Sequence, residues 1–151
     1  MKKEEYVGKI VVSIADGAEI GKVKDLVFHG LKLNALLVKG ERGEGLLTQD
    51  NISANGPDAI TIENYALVDW NAGSAGDPES RTTHELEKLK VMDAEGNMLG
   101  HMHHFTMNAK GDIEHISVRT DGVFGLGAHE TNVPSSKVRA IGAEMITVES
   151  A

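Results

Sequence analysis

Three blocks of this sequence recur in the same order, and that internal repeat limits what the chain can fold into. Asp16-Gly17-Ala18-Glu19-Ile20-Gly21 corresponds to Glu95-Gly96-Asn97-Met98-Leu99-Gly100 at an offset of 79. Leu33, Leu36 and Val38 correspond to Ile113, Ile116 and Val118 at an offset of 80. Ile52, Gly56 and the run Ile60-Thr61-Ile62-Glu63 correspond to Val138, Gly142 and Ile146-Thr147-Val148-Glu149 at an offset of 86. Self-similarity of this kind marks a duplicated supersecondary unit, and the growing offset puts the insertions in loops, where they are tolerated. The chain divides into a first copy within residues 1–68, a linker at 69–88 and a second copy within 89–151. A unit of about 60 to 70 residues buries little apolar surface and is marginal alone. The copies therefore pack together as an intramolecular pseudo-dimer, or the chain covers its apolar surface by forming a homodimer.

The local patterns are those of short strands. Residues 9–13 (KIVVS), 20–28 (IGKVKDLVF) and 33–39 (LNALLVK) are rich in β-branched and aliphatic side chains and are broken at Asp16-Gly17 and His29-Gly30, which reads as strands joined by tight turns. Residues 45–48, 52–55 and 59–63 follow as shorter strands, the last two split by Gly56-Pro57-Asp58; proline fixes φ and glycine frees it, so this tripeptide is a turn. Residues 71–80 (NAGSAGDPES) are small, polar and glycine-bearing, the composition of a flexible connection. Thr82 or Thr83 caps a short helical turn carrying Glu85, with Leu86 and Leu89 on one face. Trp70, the only tryptophan, pins the start of the linker to a barrel surface. In the second copy, residues 89–92, 98–107 and 113–119 read as strands, the last two as a hairpin around 108–112.

Composition excludes several classes of function. The net charge is −8, and no third of the chain is strongly basic, so the electrostatic footprint of a direct nucleic-acid binder is missing. The absence of cysteine rules out a disulfide framework, a thiolate nucleophile and a cysteine-based zinc site. The apolar runs are far too short to span a bilayer, and residues 1–9 (MKKEEYVGK) lack the apolar core of a secretory signal. The expectation is a soluble cytoplasmic protein.

A turn-Gly-x-x-(Ile/Leu)-Gly strand, a returning apolar strand, a glycine-rich hairpin loop, a Val-Pro step and a final glycine-turned hairpin resemble the PRC-barrel family. That family includes the cytoplasmic domain of the photosynthetic reaction-centre H subunit and the C-terminal domain of the ribosome-maturation factor RimM. The second copy carries the fuller match, with Gly122-Val123-Phe124-Gly125-Leu126-Gly127 followed by Thr131-Asn132-Val133-Pro134-Ser135. In the first copy Thr48-Gln49 stand where Val-Pro would be. The resemblance implies an all-β protein of two small, strongly bent barrels in tandem, acting as a docking module for proteins or protein complexes. A RimM-like role in ribosome or RNA processing is the alternative. The matched positions are structural glycines and apolar residues, which specify a fold and no chemistry.

Three sequence features bear on chemistry. His101 and His103 fall two residues apart on one strand face, and the hairpin brings His115 towards them; three imidazoles on one face would hold Zn²⁺, Ni²⁺ or Cu²⁺, whereas the plainer reading is a solvated face of ordinary histidines, here with His104 and His129 nearby. Val123, Phe124 and Leu126 put an apolar tip on a glycine-rich loop, which either docks a partner or folds back onto the core. The glycines of that loop do not form a phosphate-binding motif, and Ser135 and Ser136 lack a nucleophile elbow. No cofactor motif is present. No convergent acid, base and nucleophile set is legible, so the expected function is non-enzymatic docking.

Overall fold

The computed structural model describes residues 5–41, 43–70, 80–120 and 129–149. These described residues are all-β apart from one short helix and several 3-10 turns, in two sheets. The first sheet contains β1 (Ile10–Ser13), β2 (Ala18–His29), β3 (Lys32–Gly40), β4 (Gly43–Thr48), β5 (Ala54–Asn55), β6 (Ala59–Ile62) and β7 (Ser80–Thr82). Helix α1 (Thr83–Leu86) follows. The second sheet contains β8 (Lys90–Asp93), β9 (Met98–Met107), β10 (Ile113–Thr120), β11 (His129–Pro134), β12 (Val138–Ile141) and β13 (Met145–Val148).

The two sheets have the same strand order, β4-β3-β2-β1-β6-β5 and β11-β10-β9-β8-β13-β12. In each, the first strand pairs antiparallel with the second and parallel with the fifth of its neighbours in sequence, β1 with β2 and β6, β8 with β9 and β13. Each thus forms a curled, barrel-like unit. Inward positions of the short strands alternate with half-exposed ones, as in Ile10–Ser13 and Ala59–Ile62, the period-2 pattern of a strand with one face in a core.

Curvature is written into paired glycines. Gly17 and Gly96 open the second strand of each unit with φ of 60° and 88° in free space, so they serve the turn. Gly21 and Gly100 serve close approach. A Cβ at Gly21 would lie 2.5 Å from the Lys39 carbonyl oxygen, and one at Gly100 would lie 2.2 Å from that of Arg119. Only glycine lets the third strand pass so near to the second at these points. Bulges near Lys24 and Glu114 and at His103-His104 add to the bend. Strand register corrects the correspondence at the Val-Pro step: Leu47-Thr48, not Thr48-Gln49, stand where the second unit has Val133-Pro134, and the backbone is the same, with φ −67° and ψ 148° at Thr48 and φ −67° and ψ 147° at Pro134.

Part of the sequence expected to be linker is structured against the first unit. Asp69 pairs with Leu46 through reciprocal backbone hydrogen bonds of 2.9 and 3.0 Å. β7 adds to β2 through Val27↔Thr82, Phe28↔Arg81 and His29↔Ser80. Of the two expected caps, Thr82 and Thr83, the structure uses Thr82. Its hydroxyl accepts from the Glu85 amide at 3.2 Å, and the Glu85 carboxylate accepts from the Thr82 amide at 3.0 Å, which holds so short a helix together. Leu86 and Leu89 are buried, as their spacing predicts.

The units meet turn to turn. The Leu33 amide donates to the Gly111 carbonyl at 2.8 Å, and the Ile113 amide donates to the Leu31 carbonyl at 2.8 Å. Lys32 and Asp112 form the bridge between these bonds. At the repeat offset of 80, residues 31, 32 and 33 are the counterparts of 111, 112 and 113, so each unit gives the other what it receives. Beneath the turns, Phe28 and Phe105 meet edge to face at 5.1 Å, and the buried side chains of both units form one continuous cluster.

Two outcomes follow. Phe105→Ala removes an aromatic side chain from the shared core and should cost about 3–5 kcal/mol; with one core the loss appears as a single lowered urea transition, and a transition split into two would contradict the continuous packing. Burial raises the pKa of Tyr6 above its ordinary 10.0, with the Asn55 hydrogen bond opposing and Glu5 adding to the shift. The unfolded phenol therefore ionises first, so this contribution is complete below about pH 10 and is lost as the pH rises through the folded pKa. Tyr6→Phe should flatten the fall of the urea midpoint above pH 10.

Candidate functional site

The histidines occupy the outer face of β9 and β10. Register places His101 opposite Arg119, His104 opposite Ser117, and His115 opposite Thr106. The bulge at His103-His104 turns two consecutive side chains outward between buried Met102 and Phe105, which brings those two rings to 5.1 Å. His103 instead reaches across the sheet, its Nε2 lying 3.4 Å from a Glu130 carboxylate oxygen with both side chains well exposed. His115 sits further along, beyond the bulge. Among the described residues, no three His, Asp or Glu side chains gather closely enough to hold a metal ion. The sequence places His101, His103 and His115 on neighbouring strands; it does not reveal the bulge that turns His104 outward beside His103, nor the register that sets His115 opposite Thr106.

The turn carboxylates serve local structure. Asp93 accepts from the amides of Glu95 and Asn97 at 3.0 and 2.9 Å and from the Asn97 side chain at 3.0 Å, and these bonds hold its carboxyl below the usual carboxylate range. Asp16 accepts from the Ser13 hydroxyl at 2.6 Å. Ser135 lies in a 3-10 turn that follows Pro134. Val123, Phe124 and Leu126 lie outside the described residues.

The feature that sequence reasoning missed lies at the open end of the first unit. Tyr65 and Trp70 stack at 5.7 Å with an interplanar angle of 26°. The indole rests on a floor made by two glycines of the β3–β4 hairpin: a Cβ at Gly40 or at Gly45 would come within 2.8 Å of the ring. The Asn64 side chain accepts from the Ala66 amide at 3.0 Å and starts the 3-10 turn Tyr65–Leu67 that delivers both aromatics. The Leu46–Asp69 bridge then fixes the segment against β4. The indole N–H is buried and finds no acceptor among the described residues.

Two adjoining clefts flank this pair. One, about 280 Å³, is lined by Ala18, Glu19, Ile20, Glu41, Tyr65 and Trp70. The other, about 340 Å³, is lined by Ser13, Asp16, Ala18, Ile20 and Tyr65. They share Ala18, Ile20 and Tyr65, so together they form one aromatic and aliphatic surface with carboxylates on it and no base among the described lining residues. Ile14, at the same end of β1, is 53% exposed. A larger cleft of about 580 Å³ lies between β2, β3 and α1. Two of its polar groups are engaged elsewhere, Asp25 accepting from the amides of Leu26 and His84 at 2.8 and 3.2 Å and Lys24 pairing with Glu44, while the buried Thr83 hydroxyl finds no partner among the described residues.

The aromatic surface had a sequence signal. A chain with 4% aromatic residues spends its only tryptophan five residues after a tyrosine. The glycine floor was hidden, because it depends on which residues of the hairpin face Trp70. Gly45→Ala tests that floor. Its Cβ would lie 2.8 Å from both the indole and Val68, so the ring must shift; the variant should lose about 1–3 kcal/mol and show red-shifted tryptophan emission. Unchanged emission would mean that the floor does not position the ring.

No protein-family model matches the sequence, and no curated protein matches it. Among solved structures, the chain is similar to a Pseudomonas aeruginosa protein assigned as the 16S ribosomal RNA processing protein RimM, at 18% identity, with 97% of this chain and 96% of that chain covered and a TM-score of 0.34.

Proposed function

We propose that this protein is a non-enzymatic, cytoplasmic docking module of the PRC-barrel type that holds a partner protein on the open end of its first unit. The observation that carries this reading is the Tyr65–Trp70 pair, mounted on glycines and bordered by Ile20 and Ala18. Sparse aromatic residues are normally spent in the core. Here Phe28 and Phe105 are buried at the junction of the units, while Tyr65 and Trp70 are only partly covered. Aromatic side chains at a surface give a large contact area at low entropic cost and dominate protein–protein binding energies. The loop tip Val123, Phe124 and Leu126 is a second proposed contact, supported by its apolar composition.

The test is cross-linked capture from host lysate with the full chain as bait, beside Tyr65→Ala, Glu41→Arg and Phe124→Asp variants checked for unchanged circular dichroism. The expected outcome is a reproducible partner lost with Tyr65→Ala and Glu41→Arg. Loss with Phe124→Asp as well would extend the contact to the loop. Capture that is indifferent to all three variants, or no partner with any bait, would overturn the reading.

A further inference from the structure

We infer that the occupant of the Tyr65–Trp70 cleft is a lysine or arginine side chain on an extended basic segment of the partner. This rests on the docking reading and adds the chemistry of what is docked. Glu19 and Glu41 line the same cleft as the stacked rings, and Asp16 lines its neighbour. The face of Tyr65 that is not stacked on the indole attracts a cation through the ring quadrupole, and carboxylates beside it supply charge-assisted acceptors for an ammonium or guanidinium. An anionic or purely apolar occupant would meet the carboxylates of Glu19, Glu41 and Asp16, and the described lining residues include no base to offset them. The surrounding charge acts in the same direction: the chain carries −8 overall, which steers a basic segment inward and an acidic one away.

The arrangement also accounts for more than a single cation. The two clefts join through Ala18, Ile20 and Tyr65, and exposed Ile14 follows Ser13 at the edge of the second. A basic residue over the aromatic pair would therefore place its apolar neighbour towards Ile20 and Ile14. The segment that fits is one in which arginine or lysine alternates with aliphatic residues.

Trp70 is the only tryptophan, so its emission reports this cleft directly in the full-length protein. The probe is a capped Ala-Arg-Leu-Arg-Ala peptide, with Ala-Lys-Leu-Lys-Ala and Ala-Glu-Leu-Glu-Ala as comparators. The basic peptides should give a saturable change in Trp70 emission, the acidic one none. The combined Glu19→Gln and Glu41→Gln variant should weaken binding about tenfold or more, and raising salt from about 0.05 to 0.5 M should do the same to the parent protein. No emission response to either basic peptide, or an equal response to the acidic one, would overturn the inference. If capture of the natural partner still depends on Tyr65 in that case, the docking reading stands with a different occupant. If the peptides bind but no partner depends on Tyr65, the docking reading fails and the cation preference stands.

Discussion

Everything in this fold depends on the two units burying their apolar turn regions against each other. Neither unit of about 60 to 70 residues commands much core alone. The reciprocal bonds between the 31–33 and 111–113 turns, with Phe28 crossing to Phe105, make one core from two small ones. Because equivalent backbone groups exchange equivalent bonds, the contact is isologous, the geometry of a two-fold dimer realised within one chain. Covalent connection then removes the concentration dependence that such a dimer would have. The segment joining the units contributes to the same end: β7 fills an edge of β2, and α1 inserts Leu86 into the common core.

Close approach of strands imposes the second constraint. The glycine pairs Gly17 with Gly21 and Gly96 with Gly100 look alike in sequence but act differently. The first of each pair supplies a positive φ in open space, and the second removes a side chain where two backbones converge. This explains how a repeat so poor in polar motifs can still specify a fold: its conserved spacing records backbone geometry and inward-facing positions, and neither requires a reactive group.

Strand class, and the place of most strands, were legible because β-branched or aliphatic runs are bounded by glycine or proline turns. The helix cap at Thr82 was legible because a capping box is purely local. Strand β7 was not. Residues 69–88 read as linker from small polar composition, and Ser80-Arg81-Thr82 has no alternation to mark it as a strand; its pairing is decided by an open edge on β2 far away in sequence. The histidine face was legible only in part, for a related reason. Period-2 spacing put His101 and His103 on one side, but the bulge that turns out both His103 and His104 comes from register with Ser117 and Val118, and register is a tertiary property. The Tyr65–Trp70 surface was half legible: the lone tryptophan marked a docking of the linker onto the barrel, but the cleft around it required Glu19 and Glu41 to arrive from separate turns.

The duplicated fold does not carry a duplicated surface, and the reason lies in a few side chains. At the positions equivalent to Gly40 and Gly45, the second unit has Thr120 and Thr131. In the first unit a side chain at Gly40 would collide with the Ile20 carbonyl and with Trp70. In the second, the Thr120 hydroxyl donates 2.8 Å to the carbonyl of Leu99, the counterpart of Ile20. The threonine thus satisfies with its own side chain a carbonyl in the place where the first unit leaves room for an indole. Gly40 and Gly45 are accordingly the positions that set the two units apart here: they leave the strand order untouched and make, in the first unit, the floor on which Trp70 is mounted.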